Sequence, residues 1–178
     1  MECQLPMPEG TDPEGFPQHE DFYTSLVACA ILKARTQIGI FNKLPIWWTE
    51  NEKSHVYWSE LVASDFSLHV LQKWQSAVVT PDIRIESSKA LVLVETKVDA
   101  EFEERQMAPV FRYSSGLGDK RKRAYLLMAP GAYGGPNFHP GTLTRFFKAA
   151  EGGVRVGFVN LALATNLAFE LLGLQQLY

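Results

Sequence analysis

The spacing of hydrophobic positions changes several times along the chain, and each change marks an element. Residues 1–18 hold four prolines, two glycines and several acids with almost no apolar pattern, which reads as a flexible leader. From Glu20 onward Phe22, Leu26, Cys29 and Ala30 follow helical spacing with acids in the first turn, predicting a helix over Asp21 to Thr36. Gly39 and Pro45 break that pattern. The segment FNKLPIWWTENEKSHVYW has three tryptophans and no clean period, so it reads as an irregular or partly helical connection whose aromatics serve packing. Phe66, Leu68 and Val70 then alternate with Asp65, Ser67 and His69, predicting a strand with one buried face.

Two apolar runs, PDIRIE and ALVLVETKV, flank a polar Ser-Ser-Lys turn and read as a hairpin. FEERQMAPVFRYSSGL resumes helical spacing, with Pro109 either kinking that helix or marking its first turn, and glycines 116 and 118 ending it. RAYLLMA is a short continuous apolar run suited to a buried strand. After the glycine- and proline-rich loop GAYGGPNFHPG come a short helix in GTLTRFFKAAEGG, capped by Thr142 or Thr144, a strand in VRVGFVN and a closing apolar helix in NLALATNLAFELLGLQQL. The order predicts an α/β sandwich around a central mixed sheet, with an antiparallel hairpin in its first part and helix crossovers in its second.

Composition narrows the class. The chain has 178 residues, 46% hydrophobic and 21% charged, enough for one domain with a real core, so residues 19–178 read as one unit. No apolar run approaches a membrane span, and the start lacks the basic-then-apolar layout of a secretory signal, so a soluble, cytoplasmic protein without a membrane partner is expected. Cys3 and Cys29 make neither a disulfide framework nor a zinc set, and Cys29 reads as a buried thiol. His19, His55, His69 and His139 lack metal-ligand spacing, and GAYGGPNFHPG lacks the lysine and strand-to-helix context of a phosphate-binding loop. A net charge of −3 argues against coating nucleic acid by charge alone, although Arg105, Arg112, Lys120, Arg121, Lys122 and Arg123 face the single acid Asp119 in that stretch.

Chemistry concentrates in the hairpin. If it is centred on Ser88-Lys89, facing residues have numbers summing to 177, so Asp82 stands opposite Glu95 and Lys97 shares their face, with Ile83, Ile85, Val92 and Val94 on the other. A one-residue slip would separate the acids. Two carboxylates at close range repel unless a proton or cation lies between them, and such oxygen ligands suit Mg²⁺, which takes one or two carboxylates and keeps waters and phosphate oxygens. Lys97 would then orient or deprotonate an attacking water and offset charge on phosphorus. The plainer possibility is an Asp82 turn cap and an exposed Glu95–Lys97 pair.

Pro81-Asp82, twelve residues and then Glu95-Thr96-Lys97 resemble the motif of the PD-(D/E)xK nuclease superfamily, which has the restriction-endonuclease-like fold. RQMAPVFRYSSGL resembles the helix that follows the motif in many members, with Gln106, Arg112 and Tyr113 at the matching positions, and EDFYTSLVACAIL resembles their first helix. The resemblance covers about residues 19 to 130. It implies a Mg²⁺-dependent endonuclease, with Mn²⁺ able to substitute, that hydrolyses phosphodiester bonds in nucleic acid, foremost DNA, with a metal-activated water. Asp82, Glu95, the Thr96 carbonyl and Glu20 would be metal ligands. Lys97 would position the water, and Gln106 would steady Lys97 or the scissile phosphate. Arg112, Tyr113, Lys120, Arg121, Lys122 and Arg123 would form the nucleic-acid surface. Pro109 departs from the family pattern and puts the placement of Gln106 in question. With few residues left for a recognition domain, a homodimer, a partner subunit or shape-based recognition is expected. The alternatives are a non-catalytic nucleic-acid-binding or assembly module on the same fold, and an unrelated α/β interaction protein using the tryptophan-rich segment.

Overall fold

The computed structural model describes residues 20–48, 58–70, 80–98, 102, 108–109, 120–130 and 154–174. The leader and the short helix expected in residues 141–153 lie outside them, as does all but Phe102, Ala108 and Pro109 of the expected Gln106 helix; Ala108 and Pro109 are helical and Phe102 is not. Six strands form one mixed sheet: β1 (Trp47–Trp48), β2 (Ser67–Val70), β3 (Ile83–Glu86), β4 (Ala90–Thr96), β5 (Lys122–Ala129) and β6 (Val154–Asn160). Their spatial order is β1-β6-β5-β4-β3-β2. Strands β4, β5 and β6 are parallel, whereas β1, β3 and β2 pair antiparallel with their neighbours.

The parallel centre explains the composition of β4, all seven residues of which are buried. Such a strand is covered on both faces and cannot show polar alternation. On one face, Ile83, Ile85, Val92, Val94, Ala124, Leu126 and Met128 join a core with helix α1 (Glu20–Lys33) and the last helix, α3 (Leu161–Leu172). Helix α1 buries Thr24 and Leu26 through Ile31, so it is a core element and not a one-sided surface helix. At the start of α3, Asn160 accepts the Leu163 N–H at 3.0 Å, and Gly173, with φ of 67°, closes the helix in the left-handed conformation.

Three local expectations change. The first helix stops at Lys33 and continues as a 3-10 helix over Arg35–Lys43, held to helix α2 (Trp58–Leu61) by mutual Asn42–Ser59 hydrogen bonds of 2.9 and 3.1 Å. Trp47 and Trp48, read as part of an irregular connection, form an edge strand against Phe158 and Gly157. Cys29, read as a buried thiol, is disulfide-bonded; a helical apolar pattern shows burial but carries no information about thiol pairing. The sequence's other cysteine, Cys3, lies outside the described residues. Among the described residues no helix is long and apolar enough to cross a membrane.

Candidate active site

The hairpin register decides whether the acids meet. Ile83 faces Val94 and Ile85 faces Val92, the pairing centred on Ser88-Lys89, and it carries Asp82 to the position beside Glu95. The turn is fixed by Ser87, whose N–H reaches the Ala90 carbonyl at 2.9 Å and whose Oγ accepts the Ala90 N–H at 3.1 Å. Asp82 is held from below: its Oδ2 accepts the Thr96 N–H at 2.6 Å, a short charge-assisted bond. Lys97 follows the last residue of β4, and its own N–H extends the pairing to β5 by donating to the Met128 carbonyl at 2.9 Å. Asp82, Glu95 and Lys97 therefore stand at the carboxyl end of the parallel strands, where open α/β sheets bind ligands.

Helix α1 supplies the fourth group. Its first residue, Glu20, accepts a hydrogen bond from Lys97 Nζ at 3.1 Å, and the same ammonium lies 3.5 Å from Glu95 Oε1. The Lys97 and Glu95 side chains are only 12% and 11% exposed, against 35% for Glu20, so the cluster is sunk into the sheet edge and opens on the Glu20 side.

Burial and mutual repulsion shape the charges. Glu95 is raised to about 7, first by burial and then by the charge of Asp82, with Lys97 acting in the opposite direction. Asp82 is raised to about 6 by burial, opposed by the Thr96 N–H and by Lys97. Burial alone would lower Lys97, but Glu95, Glu20 and Asp82 together raise it above the ordinary lysine value, so it stays an ammonium. Of the two roles open to Lys97, orienting a water and deprotonating it, this favours orientation and charge compensation.

The donor set fits a hard divalent ion of the kind that keeps several waters. Glu95 is penalised by burial and the charge of Asp82, and Asp82 by burial and the charges of Glu20 and Asp21; a cation relieves both, and one or two carboxylates suffice for Mg²⁺. Glu20 does not complete a three-acid set. Its carboxylate is engaged by Lys97, and among the described residues no group of three or more His, Cys, Asp or Glu side chains is arranged to hold a metal. Lys97 takes the place between the acids where a direct Glu20 ligand would have to reach.

Among the described residues, the basic turn Lys120–Arg123 is not brought to this site. Lys122 pairs with Ala90 at the opposite end of β4, and Lys122 N–H donates to the Lys89 carbonyl at 3.0 Å. At ~3.3 Å per residue, the six steps to Thr96 put the turn about 20 Å from the acids. Arg121 is also occupied, with Nη1 3.3 Å from the Ser87 carbonyl and 3.5 Å from Glu86 Oε2. Lys120 and Lys122 are exposed and Arg123 is partly buried. Gln106, Arg112 and Tyr113 lie outside the described residues.

Sequence reasoning missed Tyr125. It sits opposite Leu93 on β5, on the Glu95 face, fully buried, and burial followed by the charges of Glu95 and Asp82 raises its pKa well above the ordinary phenol value. The signal was one hydroxyl in the apolar run RAYLLMA. Comparison with protein-family models, curated proteins and solved structures gives no match to this chain.

Proposed function

We propose that this protein is a metal-dependent nuclease with a restriction-endonuclease-like fold, hydrolysing phosphodiester bonds, foremost in DNA. The observation that carries the proposal is the convergence of Asp82, Glu95 and Lys97 at the carboxyl end of the hairpin strand, with Lys97 Nζ 3.5 Å from Glu95 and 3.1 Å from Glu20. Folding has no use for this cluster. Taking several charges out of water can cost more than their pairing returns, and carboxylates perturbed in this way point to function.

A Mg²⁺ or Mn²⁺ ion held by Asp82, Glu95 and the Thr96 carbonyl would supply Lewis acidity toward a phosphoryl oxygen and a water. The chain's own groups do the rest. The Thr96 N–H fixes the rotamer of Asp82, so one carboxylate is preorganised before anything binds. The Lys97 ammonium, held by Glu20, donates toward the water or the scissile phosphate and offsets negative charge there.

The test offers the purified protein plasmid, linear duplex, single-stranded DNA and RNA side by side, with Mg²⁺, with Mn²⁺ and with chelator. Divalent-dependent cleavage lost in both Asp82→Asn and Lys97→Ala is the expected result. Cleavage that survives Lys97→Ala overturns the assigned mechanism. Binding without cleavage on every substrate supports the non-catalytic module instead.

A further inference from the structure

One polar group beside the carboxylates has no part in the scheme above. Tyr125 is the fourth residue of β5 and pairs with Leu93, two residues before Glu95, so its ring stands on the Glu95 face one row behind the acids. The residue is fully buried, and its hydroxyl has no hydrogen-bond partner among the described residues. A buried hydroxyl without a partner is costly, and phenylalanine would fill the same space without that cost. The hydroxyl is also close enough to feel both acids, Glu95 more strongly than Asp82, and it stays protonated. The two carboxylates and this O–H donor thus share one face of the sheet.

We propose that Tyr125 is a positioning residue of this site, its hydroxyl donating a hydrogen bond to an oxygen, of water or of phosphate, that binds between Asp82 and Glu95. The inference deepens the proposed ligand role of Asp82 and Glu95 and rests on it. A donor there would hold one lone pair of the bound oxygen on Tyr125 and so fix that oxygen's orientation relative to the open, Glu20 side of the cluster, where a substrate arrives. Phenylalanine keeps the packing and removes only this function.

The full chain is labelled at the tyrosine ring Cζ, whose resonance reports hydrogen bonding at the hydroxyl, and the Tyr125 signal is assigned by its loss in Tyr125→Phe. Mg²⁺ alone is titrated first, then Mg²⁺ with inorganic phosphate. Calorimetry gives the Mg²⁺ affinity of the wild type and of Tyr125→Phe, without and with inorganic phosphate. The Tyr125 resonance is expected to move with Mg²⁺ alone if the oxygen is a water's, or only after phosphate is added if it is a phosphate's. In the arm that moves the resonance, Tyr125→Phe is expected to bind Mg²⁺ roughly tenfold more weakly, as for one lost hydrogen bond at a charged centre, with its melting temperature unchanged or raised. A resonance that moves in neither arm, an affinity unchanged in Tyr125→Phe both without and with phosphate, or a wild type that takes up no Mg²⁺ overturns the inference. The nuclease proposal fails separately: weakened Mg²⁺ binding in a protein that cleaves no substrate keeps Tyr125 in the site and removes the reaction. Cleavage with an affinity indifferent to Tyr125→Phe does the reverse.

Discussion

Lys97 Nζ and Glu20 Oε2, 77 residues apart in sequence, lie 3.1 Å from each other at the carboxyl end of the sheet's parallel strands. The contact joins the N-terminus of α1 to the end of β4 and leaves Lys97 shared between Glu20 and Glu95. Because Glu20 touches the lysine and not the carboxylate pair, its effect on chemistry passes through lysine position. Glu20→Gln, which keeps an acceptor but drops the charge, is expected to lower cleavage by roughly 10–100-fold, the usual range for a supporting contact. Its melting temperature should hold, since partly exposed ion pairs contribute little to stability. Steady-state rates and thermal melts on the same preparations check both halves.

Lys97 itself should matter more. Lys97→Ala removes a donor and leaves Glu95 and Asp82 facing each other without their cation, so cleavage should fall by about 10²–10⁴-fold. Lys97→Arg keeps the charge but spreads it over a planar fork that does not reproduce one point donor, and it should recover only part of the loss. Single-turnover rates at saturating Mg²⁺ separate this from weaker metal binding.

The carboxylates give stability an unusual pH dependence. Raised acids bind protons more tightly folded than unfolded, so unfolding releases protons and ΔG of unfolding falls as pH rises. With Asp82 at about 6 and Glu95 at about 7 against ordinary values of 3.8 and 4.5, the pair's penalty is absent below about pH 4 and fully present above about pH 7. Glu95→Gln is therefore expected to stabilise the protein at about pH 8 by on the order of 1–3 kcal/mol, with no gain near pH 4. Mg²⁺ should stabilise the wild type at the higher pH and leave Glu95→Gln nearly unchanged. Urea melts across pH, with and without Mg²⁺, read both effects.

The register of this site was legible because the Ser-Ser-Lys turn and the alternation in PDIRIE leave one pairing that keeps Ile83 and Ile85 inside. Other parts were hidden for physical reasons. Trp47 and Trp48 are too few for a period, and they become a strand only because Phe158 and Gly157, more than a hundred positions later, offer an edge. Tyr125 was lost in a run that parallel pairing buries on both faces. The distance of the basic turn from the acids followed from the parallel pairing of β4 with β5, which hydrophobic spacing cannot report.

Gly157 tests the packing that carries β1. A Cβ there would lie 2.6 Å from Ile46 Cγ2, 3.1 Å from Trp48 Cε3 and 3.2 Å from Leu126 Cδ2. All three neighbours are buried, and Trp48 is also held beneath the Arg155 guanidinium, 4.2 Å from its ring centre. None of them can swing into solvent. Gly157→Ala should thus destabilise by about 1–3 kcal/mol through overpacking, without altering Mg²⁺ affinity at the far side of the core. Urea denaturation with tryptophan fluorescence as the probe measures it directly.

The basic turn predicts a length effect. Lys120 and Lys122 are exposed about 20 Å from the acids, and at 3.4 Å per base pair that span is roughly six base pairs. If a duplex runs from the carboxylate cluster toward the turn, a short one cannot touch both. Lys120→Ala with Lys122→Ala should leave cleavage of a duplex too short to reach the turn unchanged. On a long duplex it should weaken binding and reduce the dependence of log affinity on log salt by about two contacts' worth. Arg121 is excluded from the pair of substitutions because it is tied to Glu86 and Ser87, and replacing it would disturb the hairpin turn. Salt titrations on two duplex lengths decide the matter: equal losses on both would mean that the turn acts on folding, and no loss on either would place the nucleic acid along another path.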